Sequence, residues 1–175
     1  MGPPRLPSTP AIRGQPKLKT EPNRLFPGLF ANFATGPGFS TKIHLKADLE
    51  GRPLAFHLTE GQAGDSPQFE VLLDLGPDIT PRAAVGDKGY DGKSNRAAAR
   101  ERGICPVIPF KASAKNRPGF FPKALYRARA RIEQLVGKLK RFKRVALRCE
   151  KTVQNYGSVV ALALGFILIK SVHTA

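Results

Sequence analysis

The chain has 175 residues, enough for one domain of ordinary size and hardly for two. Two-fifths of it is apolar, so a sizeable core can form, while 29 Lys and Arg against 13 Asp and Glu give a formal charge of +16 and a pI near 10.5. Such an excess points to a polyanionic partner, nucleic acid first. Two lone cysteines outside any C-x-x-C pair argue against a zinc cluster or a disulfide framework.

Residues 1–40 hold eight of the 16 prolines and no Asp. They show no sustained period, so residues 1–39 read as irregular or disordered. There is no apolar signal core. From Thr41, Ile43, Leu45 and Ala47 alternate with Lys42, His44 and Lys46. A glycine turn at 49–52 follows, and then Leu54, Phe56 and Leu58 alternate with Ala55 and His57. That pattern predicts a β-hairpin over 41–59. His44 and His57 fall on its polar side. Ser66–Pro67 opens a helix, with Ser66 as N-cap and Phe69, Leu72, Leu73 and Leu75 as its apolar face. Arg82 to Val85 is a short buried strand. A helix from Lys93 to Arg102 stops at Gly103, and Ile104 to Ile108 forms another strand. A long helix is expected over 123–141 and a last one over 152–172. The longest apolar run, Val159 to Ile169, has 11 residues and is too short to span a bilayer. The order of elements predicts a mixed α/β layer fold.

The positive charge is concentrated. Residues 41–110 are nearly neutral, whereas 111–151 carry 14 Lys and Arg against Glu133 and Glu150. A segment of this kind favours a binding face over general solubility. Asp87 ends the short strand at 82–85, beyond whose carboxyl end a ligand site of an open α/β sheet would lie. Taken alone, it reads more readily as a turn acid. On the long helix, Tyr126, Glu133 and Lys140 are seven apart and share a face, with Arg129 beside them. Glu133 is either the partner of Arg129 in an intrahelical ion pair or a metal ligand beside DNA phosphates. A carboxylate in a basic groove suits the second role, because Mg²⁺ takes a few carboxylates, waters and phosphate oxygens. Two such ions stabilise both oxygens of a phosphodiester displacement. Asp65 and Asp91 read as turn or capping acids, and Asp48 as a turn residue.

The spacing Tyr126-x2-Arg129-x3-Glu133-x6-Lys140 resembles the Y-R-E-K signature of bacterial insertion-sequence transposases of the DDE class. Asp87–Lys88–Gly89–Tyr90 resembles their second-Asp motif. The stretches 41–44, 58–62 and 106–109 are similar to the same family's text. The resemblance runs from about Gly38 to Ile169. It implies an RNase H-like fold, a mixed sheet with flanking helices, and a metal site for Mg²⁺ or Mn²⁺. Asp87 would be the second acid and Glu133 the third, both catalytic and both metal ligands. Tyr126, Arg129 and Lys140 would face DNA or orient Glu133, joined by Lys138, Arg141, Lys143 and Arg144 in holding DNA.

The family's first acid lies on the first strand, upstream of the hairpin. No Asp precedes Asp48 here, and the earlier acid is Glu21 in proline-rich text. The first strand is therefore expected to be missing or altered. Residues 40–175 would then be a partial catalytic domain, active only with an upstream segment that brings the acid. Two origins account for this: a second reading frame normally joined by frameshifting, or a decayed copy with an out-of-frame start. The implied partners are double-stranded DNA at insertion-sequence ends, an upstream-frame product and, in the complete enzyme, further copies. A cytoplasmic setting without a membrane is implied. The rival readings are a non-enzymatic basic DNA-binding protein and an RNA-associated α/β protein.

Overall fold

The computed structural model describes residues 27–35, 40–78, 80–114 and 118–173. Its centre is a five-stranded sheet of order β3-β2-β1-β4-β5, formed by β1 (Gly28–Thr35), β2 (Thr41–Ala47), β3 (Pro53–Glu60), β4 (Ala83–Val85) and β5 (Cys105–Val107). β1 runs antiparallel to β2, from Leu29 opposite Ala47 to Thr35 opposite Thr41. On its other edge it runs parallel to β4, with Gly28 opposite Ala84 and Leu29 opposite Val85.

β1 corrects the sequence reading at its most consequential point. Residues 28–35 are not irregular: they form the central strand, and the first strand is present. The rest of the expected irregular segment, residues 1–26 and 36–39, lies outside the described residues. The sequence shows no alternation here because both faces of the strand are covered, unlike those of a half-exposed strand. Leu29, Ala31 and Phe33 join one apolar cluster, while Phe30 joins the other.

The helices flank the sheet on both sides. α1 (Gln68–Asp74) and α2 (Lys93–Glu101) cover one face, with Phe30, Phe69, Leu72 and Tyr90 in the layer between. The opposite face carries α3 (Lys123–Tyr126), α4 (Arg129–Lys140), α5 (Lys143–Ala146) and α6 (Val153–His173). There α4 buries Ile132, Leu135 and Leu139, and α6 buries Tyr156, Val160 and Ile167. The long helix expected over 123–141 is thus interrupted at 127–128, where bonds such as Ala128 N to Leu125 O tighten the turn. The β2–β3 turn is keyed into α4. Gly51 has φ +81°, and a Cβ there would lie 2.9 Å from the Arg131 carbonyl, so only glycine fits.

Two expectations for the first half change. α1 begins after Pro67 without a side-chain cap; Ser66 instead accepts Asn95 Nδ2 at its carbonyl and hydroxyl oxygens. The side of β2 read as polar and outward lies under α1. His44 is fully buried, and Lys46 donates to the Leu73 and Leu75 carbonyls at the end of α1, at 3.0 and 2.8 Å. Those carbonyls are the unsatisfied acceptors of a helix C-terminus, which a cation suits.

Candidate active site

Asp87 leaves the carboxyl end of β4 after Gly86. Its Oδ1 accepts the Gly89 amide at 2.8 Å, capping the 3-10 turn Lys88–Tyr90 and fixing the carboxylate's direction. Its Oδ2 faces Arg129 Nη2 at 3.6 Å, and Arg129 Nη1 lies 3.2 Å from Glu133 Oε1. One guanidinium therefore stands between the two predicted acids. The intrahelical ion pair is real, and it is part of a larger constellation. Burial of Ile132 and Leu135 against the sheet leaves Arg129 half-buried and Glu133 exposed at the rim.

The sequence reading passed over three further groups near this constellation. Asp65 reads in the sequence as a turn acid. A Cβ on Gly89 would lie 2.8 Å from Asp65 Oδ2 and 2.9 Å from Asp87 Oδ1, so the two carboxylates flank the same glycine. Lys42 holds Asp65 at 2.8 Å and also donates to the Ala63 carbonyl. Asn32, on β1, donates to the buried Tyr90 hydroxyl at 3.3 Å. Burial pushes the Tyr90 phenol up, opposed by the Asn32 amide and reinforced by Asp65 and Asp87. Tyr90 therefore stays neutral. By contrast, Asp91 is taken up by Arg96 at 2.8 Å and by the Lys111 amide at 2.6 Å, a structural role away from Asp87.

Other predicted residues separate. Tyr126 lies on α3, before the interruption, and packs edge-on against Phe121 with centroids 5.3 Å apart. Lys140 sits over the Phe33 ring at 5.1 Å. Lys138, Arg141 and Lys143 are exposed with Lys140 along α4 and α5, while Arg144 is engaged by Glu150, its Nε donating at 3.0 Å.

The Transposase DDE domain family matches residues 35–168. The chain belongs to that family. Two described relatives agree. A protein described as a transposase for insertion sequence element IS6501, from Brucella ovis, is 33% identical over 135 residues, covering 75% of this chain and 99% of that one. One described for element IS402, from Burkholderia cepacia, is 33% identical over 138 residues, covering 74% of this chain and 62% of that one. The function class of this DDE transposase domain is DNA transposition.

Among solved structures, the catalytic core domain of BIV integrase is similar at TM-score 0.51 and 15% identity, over 85% of this chain and 96% of that one. A chain of the simian T-cell lymphotropic virus intasome in complex with PP2A regulatory subunit B56 gamma is similar at 0.52 and 14%, over 81% and 48%. The fold is RNase H-like, as the resemblance implied.

The family's chemistry uses divalent metal ions, and the residues of this DDE domain fit it incompletely. Asp87 and Glu133 share a cation, but that cation is Arg129. Among the described residues no group of three or more His, Cys, Asp and Glu could hold a metal ion. β1 shows why. Continued two residues past Leu29–Val85, its register sets Ala31 level with Asp87, on the face that α4 covers, and Ala31 has no donor. Two ions at the spacing a displacement needs do not fit this donor set.

Proposed function

We propose that this is a DNA-binding transposase domain that holds double-stranded DNA at insertion-sequence ends but does not cut it unaided. Asp87 and Glu133 are its second and third acids and bind a single Mg²⁺ or Mn²⁺ weakly. Arg129, Lys138, Lys140, Arg141 and Lys143 lie along the DNA, with Tyr126 bracing the start of α4 and Arg144 at the edge. The setting is cytoplasmic.

The observation that carries the reading is β1. It fills the first-strand slot of the sheet, and its eight residues, Gly28 to Thr35, include no carboxylate. An upstream-frame product would therefore have to displace β1 to contribute its own acid, which makes repair at one position the direct test. The measurement is metal-dependent end cleavage by the wild-type chain and by Ala31→Asp. We expect no nicking from the wild type and measurable nicking from the variant, abolished again by Asp87→Ala or Glu133→Ala. Efficient Mg²⁺- or Mn²⁺-dependent cutting by the wild type would overturn the reading.

The RNA-associated alternative is disfavoured by the layers. Helices cover the central strands on both faces, and among the described residues the part-exposed edge strand β3 offers a single aromatic, Phe56, rather than the paired aromatics on which bases stack.

A further inference from the structure

The exposed cations of α4 and α5 lie on one side of the sheet, and a second basic group lies on the other. Lys93, Arg96 and Arg100 follow one another on α2 at intervals of three and four, so they form a single row. The row is about 10 Å long. Together with Phe110 and Lys111, just past β5, it lines a cleft of about 1220 Å³. β4 and β5 are parallel, and the chain enters the cleft after each of them. The cleft therefore stands at the end of the sheet that carries Asp87, on the α2 side.

Charge in the cleft is unbalanced. Its four cations meet one lining acid, Asp91, and that acid is already engaged. Asp91 Oδ1 accepts Arg96 Nη2 at 2.8 Å, and Oδ2 accepts the Lys111 amide at 2.6 Å. Lys93, Arg100 and Lys111 are exposed, and none forms an ion pair among the described residues. Arg96 differs from them. It is 7% exposed, donates also to the Ile108 carbonyl at 2.8 Å, and lies over the Phe110 ring at 3.8 Å from the centroid. The wall made by Asp91, Arg96 and Phe110 is thus fixed before a ligand arrives, which lowers the cost of ordering on binding. Free cations around a fixed wall that includes an aromatic ring suit an unpaired nucleic-acid strand: the cations follow its phosphates, and the ring receives a base. A duplex offers such a cleft phosphates alone, because its base faces are stacked on one another.

We propose that the cleft between α2 and the chain after β5 binds single-stranded DNA, with Lys93, Arg100 and Lys111 on its phosphates and a base against Phe110. The inference rests on the reading of this chain as a DNA-binding transposase domain and adds a second site to it. The duplex lies along α4 and α5 on one face of the sheet, and the unpaired strand lies on the other, at the sheet end that carries Asp87.

The test is fluorescence anisotropy of the full chain with a labelled oligothymidine of about 12 nucleotides, an oligouridine of the same length and a duplex of unrelated sequence. The wild type is expected to bind the thymidine strand. Lys93→Gln, Arg100→Gln and Lys111→Gln together should weaken that binding at least about tenfold and lower its salt slope by about 2, at roughly 0.7 per phosphate contact. Duplex affinity should stay within about threefold, because the cations of α4 and α5 remain. The three side chains are exposed, so the melting temperature should hold. Phe110→Leu should also weaken the strand about tenfold, as loss of a stacking ring does, and Phe110→Tyr, which keeps a ring, should restore it. Strand binding that survives the triple substitution, an equal loss on strand and duplex, or no effect of Phe110→Leu would each overturn the proposal. So would tighter binding of the uridine strand that the triple substitution removes, because the cleft would then serve RNA. Duplex binding without strand binding sinks this inference alone, whereas binding of neither at low salt sinks the DNA-binding reading beneath it.

Discussion

Arg129 holds the two acids of this site with one side chain. Its Nη atoms face Asp87 and Glu133, and a cation entering between the carboxylates must displace it or bind beside it. A full positive charge within 4 Å of both ligands opposes metal binding, although solvent at this rim weakens the effect. Arg129→Gln should therefore raise Mn²⁺ affinity about tenfold, a change of about 1.4 kcal/mol, read by electron paramagnetic resonance of free Mn²⁺. Unchanged or weaker binding would show that the guanidinium does not compete with the metal. Spacing alone put Asp87 at a strand end and Glu133 on a basic helix face; joining them as two acids of one site came from the family resemblance. Asp65 was not legible, because Ser66 and Pro67 beside it carry the ordinary text of a turn. Only the fold brings its carboxylate across to Gly89.

Among the elements, β2 shows how far alternation can be trusted. The hairpin register follows the pattern, with Ile43 opposite Leu58 and Leu45 opposite Phe56. The sidedness does not, because long lysine stems lie under α1 while their amines reach carbonyls. His44 shares that face. Its Nε2 pairs with the Thr59 hydroxyl at 2.9 Å, and its Nδ1 has no partner among the described residues. Burial lowers its pKa to about 4; Asp65 opposes the shift, and Lys42 and His57 add to it. The folded state thus refuses a proton that the unfolded chain takes up near pH 6.5. Stability from this group is complete above about pH 6.5 and is lost as pH falls toward 4. The unfolding free energy from urea titration should drop between pH 7 and pH 4.5 by more in the wild type than in His44→Gln, a difference of about 1–3 kcal/mol. Equal drops would mean that His44 is protonated in the folded protein. The break between α3 and α4 left no trace in the sequence, since residues 127–128 are Arg and Ala and neither stops a helix.

For the whole molecule, charge placement is the strongest property carried over from sequence to structure. The exposed cations of α4 and α5 lie on the helical side of the sheet that carries Glu133. If several of them contact phosphates, affinity for duplex DNA should fall by about 10³ or more between 50 and 200 mM salt. Fluorescence anisotropy with a duplex of unrelated sequence measures this, and binding indifferent to salt would remove the basis for a phosphate-holding face. The fold class was readable because hairpin, helix and strand signals arrive in order. The centre of the sheet was not, and the reason reaches beyond this reading. Seven of the eight residues of β1 precede position 35, where the family match begins, yet β1 alone ties the hairpin to β4 and β5. The stretch that the family match covers and the stretch that completes the sheet therefore begin at different residues of this chain. Between them, Leu29, Phe30, Ala31 and Phe33 fill both apolar layers, and the sheet is closed at its centre by a strand that carries no carboxylate.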